Sequence, residues 1–569
     1  MTVLRSRGLS GSVACRTLVE EAIRALATRR FSARLWEKDH TLWKPSPAEI
    51  SNRLGWLDSP RNMPAKVDRI RRTVNAVRAD DYTRALLLGM GGSSLAPEVF
   101  RRIFGVAGGY LDVAVLDSTD PAAVLAFADT LDPARTLFIV STKSGGTVET
   151  FSFMKYFFHW TAERLGEKEA GRHFLAITDP GSALADLAEA HRFREVFLND
   201  PDIGGRYSAL SCFGLAPAAL LGVDIGLLLE RAAAAAAEER PAGRGEGELP
   251  DGLYLGAVMG SLARAGRDKL TLVFSPALAA FGDWLEQLIA ESTGKEGRGI
   301  VPVVGEPPGA PDVYGDDRVF VHLCIEGEGG EEEPLERLAR AGQPVLRICL
   351  RDRYDLGGQI FLWETATAAA GHLLGINPFD QPDVEAAKVL ARGIISRYVE
   401  QGRLPPEAPA ISAEGIDVYG DVKAQGPGDA LNAFLDHARP GSYVALQAYL
   451  EPRPGTDEAL ANLRCRLRDR RHLVTTAGYG PRYLHSTGQL HKGDAGRGLF
   501  IQFTTDDRRD VPIPDEMGPS GSSVTFGVLK AAQAMGDREA LVRAGRPVLR
   551  FHLGGDVAGA LKTLTDALS

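Results

Sequence analysis

The sequence predicts an α/β protein built from doubly wound parallel sheets. Two short apolar runs, 86–88 and 137–140, each resemble a buried strand that leads into a turn rich in glycine and hydroxyl side chains. A helical pattern follows each turn, and this alternation is typical of parallel sheets with helices on both faces. In addition, the segment 340–347 (RAGQPVLR) returns as 543–550 (RAGRPVLR), which indicates a duplicated α/β layer near the C-terminus.

A second pair of segments supports the duplication. The segment 291–294 (ESTG) returns as 485–488 (HSTG), and each copy follows an apolar run that contains Leu270 or Leu473. Two matched segments in the same order favour a repeated domain over chance.

Four regions are expected along the chain. Stretches rich in proline, glycine and charge at 240–252 and 402–409 predict boundaries between globular units. The expected regions are a helical N-terminal arm (1–80), a first α/β domain (81–245), a second α/β domain (246–405) and a C-terminal α/β domain (406–569).

Composition and charge exclude several classes of protein. The chain has 569 residues, of which 44% are hydrophobic and 24% charged, as is ordinary for globular proteins. The net charge of −9 argues against a nucleic-acid partner, and no apolar stretch is long enough to span a bilayer. The five cysteines lack metal-ligand spacing and are expected to be buried thiols, which suits a cytoplasmic protein.

The turn at 141–147 (STKSGGT) is the strongest candidate binding site. It lies where a strand passes into a helix, so hydroxyl groups and free helix amides face outward, and Lys143 adds a positive charge. The spacing does not match a nucleotide-binding P-loop. A second turn of the same kind, 89–94 (GMGGSS), is expected beside it, because neighbouring parallel strands open onto one crevice. We therefore predict a phosphate site, with an ordinary polar turn as the alternative.

Several charged and amide side chains could carry chemistry. Arg206 follows a pair of glycines and could present its donors to an oxyanion. Glu291 ends a predicted helix with Gln287 four residues earlier on the same face. Gln381 and Lys388 are expected at the entrance of a helix with Pro382 in its first turn and about two turns into it. For each of these residues, a solvated surface position is the alternative.

Five motifs in this order resemble the glucose-6-phosphate isomerase family over about residues 80–400. The chain looks most like the isomerase half of bacterial transaldolase/glucose-6-phosphate isomerase fusions, and 35–56 and 483–493 share that character. This resemblance implies two sugar-isomerase (SIS) domains followed here by the duplicated third layer. The motifs are 89–94, 141–150, 204–208, 287–295 and 377–388.

The resemblance also implies roles for individual residues. Glu291 would move the proton between C1 and C2 with Gln287 beside it, and Arg206 would stabilise the enediolate. Gln381 and Lys388 would border the sugar and assist ring opening. No metal or cofactor is implied. The expected phosphate-binding residues are Gly92, Ser93, Thr142, Lys143, Ser144 and Thr147.

One histidine of the family pattern is absent from its expected place. The loop 305–312 has no histidine, and His322 lies inside a predicted strand, where a core position is expected. We hypothesise that His485, in the duplicated layer, opens the sugar ring. The alternative is a capping or packing histidine.

The expected function is interconversion of glucose 6-phosphate and fructose 6-phosphate through a cis-enediol(ate). An isomerase of a mannose or amino-sugar phosphate is an alternative, since the motifs do not define stereochemistry at C2. A non-catalytic sugar-phosphate-binding regulator is another. The resemblance implies a homodimer and a separate transaldolase as candidate partners, and the third layer could replace a surface borrowed from a second subunit.

Overall fold

Three sheets of mainly parallel strands organise the chain. The computed structural model describes residues 8–241, 249–518 and 521–568. The predicted boundary between 245 and 246 lies outside these residues. Within them, no helix is both long and apolar enough to cross a membrane. The α/β class predicted from the strand–turn–helix pattern is confirmed.

The N-terminal helices pack onto the two following units. α1 contacts the first helix of the second unit, α12 (Asp251–Arg264), and the indole of Trp43 donates a 2.8 Å hydrogen bond to the carbonyl of Ala368. The apolar faces of this arm therefore belong to the main core. The arm comprises α1 (Val13–Thr28), α2 (Phe31–Trp36), α3 (Ser59–Asn62) and α4 (Pro64–Ala79).

The first sheet is five-stranded and parallel, in the order β2-β1-β3-β4-β5. Gly89 pairs with Ser141 in register, so the turns after β1 and β3 lie side by side. Both strands are almost wholly buried, as their apolar runs predict. The elements are β1 (Arg84–Gly89), α5 (Leu95–Phe104), β2 (Asp112–Leu116), α6 (Pro121–Ala128), β3 (Thr136–Ser141), α7 (Val148–Leu165), α8 (Glu167–Ala170), β4 (Phe174–Thr178), α9 (Ala183–Ala190), β5 (Glu195–Leu198), α10 (Cys212–Leu220) and α11 (Ile225–Glu238).

The second sheet is four-stranded and parallel, in the order β7-β6-β8-β9. The helix between its last strand and the third unit is buried along most of its length, between α11 and α12. After α12, the elements are β6 (Lys269–Phe274), α13 (Phe281–Thr293), β7 (Val301–Val304), β8 (Arg318–Ile325), α14 (Glu332–Arg340), β9 (Val345–Leu350), α15 (Leu356–Leu374) and α16 (Glu385–Gln401).

The third sheet has six strands, in the order β10-β11-β17-β14-β12-β13. The last four are parallel, and β11 and β10 extend the sheet antiparallel. The elements are β10 (Ile411–Ala413), β11 (Ile416–Tyr419), α17 (Pro427–Leu435), β12 (Tyr443–Tyr449), α18 (Pro454–Arg471), β13 (Val474–Tyr479), α19 (Gly488–Gly493), β14 (Gly498–Thr505), β15 (Pro512–Ile513), β16 (Val524–Thr525), α20 (Phe526–Arg543), β17 (Val548–Leu553) and α21 (Val557–Asp566).

The strand order agrees with a duplicated layer. If the parallel strands of each unit are counted along the chain, the first four lie in the order 2-1-3-4 in all three sheets. The repeated segments 340–347 and 543–550 both lead into the fourth strand, β9 and β17.

The second pair of segments is not equivalent, and this expectation was wrong. Residues 291–294 end α13, between the first and second strands of their sheet, whereas 485–488 follow the second strand of theirs. A match of three residues reflects a shared turn composition here and no shared position.

The cysteine expectation needs one correction. Cys15 and Cys212 are buried thiols, and Cys465 is a partly buried one. Cys324 and Cys349 are instead direct neighbours on β8 and β9, with Cα atoms 4.7 Å apart, and form a disulfide. The sequence spacing of 25 residues could not reveal that register.

Candidate active site

Two glycines let three backbone segments meet at the turn after β1. Gly91 has a φ of +52°, and a Cβ atom there would lie 2.9 Å from the carbonyl oxygen of His485. A Cβ atom on Gly92 would lie 2.1 Å from the carbonyl oxygen of Gly205. Since real side chains do not tolerate such distances, this turn needs glycine at both positions.

The predicted phosphate turn leaves donors free for an anion. The hydroxyls of Thr142 and Thr147 lie 3.0 Å apart, and Ser141 donates a 2.8 Å hydrogen bond to the carbonyl of Ser93, which ties the two turns together. Ser144 is exposed. Within the described residues, no side chain caps the first amides of α7. A helix start with free amides and nearby hydroxyls is suited to a phosphate group.

Lys143 lies at this turn but has other partners. Its ammonium group forms an ion pair with Asp179 and donates a 2.9 Å hydrogen bond to the carbonyl of Pro201. The charge that sequence reasoning assigned to the phosphate is thus neutralised by a carboxylate at the end of the neighbouring strand.

Arg206 connects the catalytic candidates. It is 2% exposed, and its Nη1 lies 3.1 Å from Glu291 Oε1 and donates to Gln381 Oε1 at 3.0 Å. Its Nε donates to Ser292 Oγ at 2.7 Å, and its Nη2 donates to the carbonyls of Pro378 and Asp380 at 2.8 and 3.0 Å. A buried guanidinium with every nitrogen engaged is held in one orientation.

Glu291 and Gln287 lie on one face of α13, as their spacing predicts. Gln287 Nε2 donates to Glu291 Oε2 at 3.0 Å and to the carbonyl of His485 at 2.7 Å. The Glu291 side chain is 15% exposed. The carboxylate is therefore positioned by a cation on one oxygen and an amide on the other, and it retains access to the crevice.

Lys388 is exposed and close enough to Glu149 to affect its pKa. It lies in the first turn of α16, which begins at Glu385, so the expected helix with Pro382 in its first turn was wrong. The carbonyls of Pro378 and Asp380 accept hydrogen bonds from Arg206, which keeps the preceding residues in an open loop.

Lys295 is a buried residue that sequence reasoning gave no role. It is 1% exposed and pairs with Asp380 at 2.8 Å, and burial together with the charge of Arg206 lowers its pKa to about 8. Its signal in the sequence was its place at the end of the motif 287–295.

The structure brings His485 into the same site. Its Nε2 lies 2.9 Å from Oε1 of Glu149, a residue in the first turn of α7 that sequence reasoning did not single out. Burial opposes ionisation of Glu149, but the His485 imidazole and then Lys388 lower its pKa. An acidic residue directly after the phosphate turn was the available signal.

His322 behaves as the predicted core residue. It is 3% exposed in β8, and burial lowers its pKa to about 4, so it is neutral at pH 7. Among the described residues, no group of three or more histidine, cysteine or acidic side chains could hold a metal ion.

Comparison with known proteins agrees with this geometry. A family model described as "Phosphoglucose isomerase" matches residues 62–303. A glucose-6-phosphate isomerase of Thermus thermophilus is 30% identical over 421 residues, which cover 66% of this chain and 94% of that protein. One from Symbiobacterium thermophilum is 30% identical, over 59% of this chain and 85% of that protein.

Solved structures share the fold. The hypothetical protein TT0462 from Thermus thermophilus has a TM-score of 0.57 at 27% identity, covering 68% of this chain and 99% of that protein. A glucose-6-phosphate isomerase from Chlamydia trachomatis has a TM-score of 0.56 at 20% identity, covering 67% of this chain and 86% of that protein. The fold, the ordered motifs and the near-complete match to the Thermus relative lead to one conclusion: this chain belongs to the glucose-6-phosphate isomerase family.

Proposed function

We propose that this chain interconverts glucose 6-phosphate and fructose 6-phosphate through a cis-enediol(ate) intermediate. The observation that carries the proposal is the 3.1 Å contact between the carboxylate of Glu291 and the guanidinium of Arg206, beside the two glycine-rich turns. Moving hydrogen between adjacent carbons of a sugar requires a base and positive charge near the oxygens that become negative. Both groups are present within one buried cluster.

The phosphate anchors the sugar in this proposal. Ser93, Thr142, Ser144 and Thr147, with the free amides of α7, are its donors. Lys143 supports the turn through its pairing with Asp179. Contacts to a phosphate remote from the reacting carbons supply binding energy that orients C1 and C2.

Ring opening precedes proton transfer. His485 is the proton donor or acceptor at the ring oxygen, and Lys388 and Gln381 border the sugar. Glu291 then removes the proton from C2 of the aldose and returns it to C1, with Gln287 holding the second carboxylate oxygen. Arg206 Nη1, which contacts Glu291 and Gln381, stabilises the negative charge on the enediolate oxygens.

A coupled assay tests the proposed reaction. Conversion of fructose 6-phosphate is followed by oxidation of the glucose 6-phosphate formed, with and without chelator, and mannose 6-phosphate serves as the competing substrate. We expect turnover of fructose 6-phosphate that chelator does not reduce, and much slower turnover of mannose 6-phosphate. Faster turnover of the mannose form would move the assignment to that sugar, and binding without turnover would favour a regulator.

The larger organisation belongs to the same proposal. We infer a cytoplasmic enzyme of the type found in transaldolase fusions, with regions 1–80, 81–245, 246–405 and 406–569. Because Glu291 and His485 come from one chain, activity should not depend on a homodimer or on an added transaldolase. Light scattering across a dilution series, with activity measured at each concentration, tests this independence.

A further inference from the structure

A glutamine of the C-terminal unit contacts the carboxylate that holds His485. Gln533, on α20, donates from Nε2 to Glu149 Oε1 at 2.7 Å. The same oxygen lies 2.9 Å from His485 Nε2. Gln533 and Glu149 are 5% and 4% exposed, so water does not compete freely for either bond. One carboxylate oxygen thus joins the imidazole to a helix that the function described above does not use.

The orientation of this amide is determined by a third side chain. The hydroxyl of Thr119, which is fully buried, lies 2.9 Å from Gln533 Oε1, with the hydroxyl as donor. With its oxygen occupied by a donor, the amide must direct its NH₂ group at Glu149. The sequence Thr119, Gln533, Glu149, His485 therefore forms a directed chain of hydrogen bonds across the first and third units.

Other buried glutamines of the C-terminal unit are less completely paired. Gln502 donates to the carbonyl of Ala534 at 3.1 Å, and its Oε1 has no hydrogen-bond partner among the described residues. Gln447 likewise has an unpartnered Oε1. Gln533 has partners at both ends of its amide, and one partner is an ionised group, for which hydrogen bonds are stronger.

We propose that Gln533 is a positioning residue, which acts through Glu149 to hold the His485 imidazole in the orientation needed to open the sugar ring. This inference rests on the proposed function, in which His485 acts at the ring oxygen. Without Gln533, the Glu149 carboxylate can rotate to seek another donor, and His485 loses its fixed acceptor. A group that serves ring opening alone should matter for cyclic substrates and not for open-chain ones.

The test compares Gln533→Met with Gln502→Met. Methionine is close to glutamine in size and removes the amide, and Gln502 is the matched control because it is equally buried in the same unit. A ketose 6-phosphate that lacks the 5-hydroxyl cannot close a furanose ring and supplies the open-chain arm. We expect Gln533→Met to slow turnover of fructose 6-phosphate about tenfold and the open-chain ketose less than about twofold. Gln502→Met should slow both substrates equally or neither.

A double variant checks that Gln533 acts through His485. We expect His485→Ala with Gln533→Met to be no slower on fructose 6-phosphate than His485→Ala alone. Losses that multiply, or an equal loss on cyclic and open-chain substrates, would overturn the inference. If Gln533→Met does not fold, Thr119→Val replaces it, since this change removes the hydroxyl that orients the amide, and the same selective loss is expected.

A spectroscopic measurement separates this inference from the proposed function. In protein labelled at histidine, the imidazole signal of His485 is identified by its loss in His485→Ala. We expect Gln533→Met to shift that signal and Gln502→Met to leave it in place. If wild-type protein isomerises neither substrate, the proposed function fails, whereas an unmoved signal in Gln533→Met overturns the positioning role alone.

Discussion

Replacement of Arg206 by lysine tests how far the site depends on the shape of the guanidinium. Lysine keeps the positive charge but has one nitrogen in place of three. A lysine ammonium that reaches Glu291 leaves Ser292 Oγ and the carbonyls of Pro378 and Asp380 without their donor. At about 1 kcal/mol for each lost buried hydrogen bond, Arg206→Lys should lower the free energy of unfolding by about 3 kcal/mol.

The catalytic effect of Arg206→Lys should exceed its effect on binding. Loss of a positioned donor to a developing oxyanion lowers kcat by about 10²- to 10³-fold. KM should change only a few-fold, because the phosphate is held by the separate turns after β1 and β3. The coupled assay at saturating fructose 6-phosphate gives kcat, and urea unfolding gives the stability.

Arg318→Lys is the matched control. Arg318 is also 2% exposed and pairs with a buried carboxylate, Glu306, at 3.0 Å, but it has no contact with the candidate site residues. It should lose a similar amount of stability and keep its kcat. Wild-type kcat in folded Arg206→Lys, or an equal loss of kcat in Arg318→Lys, would refute the reasoning.

Three further predictions concern the turns and the core. Gly92→Ala should lower both stability, by about 1–3 kcal/mol in urea unfolding, and kcat, because its Cβ atom meets the carbonyl of Gly205; unchanged values would contradict the close approach. Thr147→Val should raise KM for fructose 6-phosphate more than it lowers kcat, since Thr142 and Thr147 bind the phosphate; a loss confined to kcat would be inconsistent with that role. The unfolded state protonates His322 near pH 6.5 and the folded state only near pH 4, so its burial reduces stability as pH falls through that window; His322→Leu should remove up to about 3 kcal/mol of that loss, measured by urea unfolding at pH 7 and pH 4.

Local patterns in the sequence predicted the parts of the site that lie within one element. Gln287 and Glu291 share a helical face because their spacing of four residues equals about one turn. The turns after β1 and β3 are neighbours because parallel strands end at one edge of a sheet. Arg206 was placed beside Glu291 through the family resemblance, since no periodicity connects positions 85 residues apart.

Contacts between distant units escaped prediction. Glu149 meets His485 across 336 residues and Gln533 across 384, and neither pairing leaves a pattern in the local sequence. His485 was proposed for its residue type, and the supposed copy of 291–294 proved not to be equivalent. The early start assigned to α16 failed for a related reason, because tertiary hydrogen bonds to Arg206 use the carbonyls of the preceding loop.

The most direct test of the central claim is hydrogen exchange between substrate and solvent in Glu291→Gln. In deuterated water, wild-type protein should incorporate deuterium at C2 of glucose 6-phosphate while it isomerises the sugar. The variant keeps the phosphate turns and should bind fructose 6-phosphate with nearly unchanged affinity, yet lose both isomerisation and deuterium incorporation by about 10²- to 10⁴-fold. Deuterium incorporation at the wild-type rate in Glu291→Gln would show that another group moves the proton.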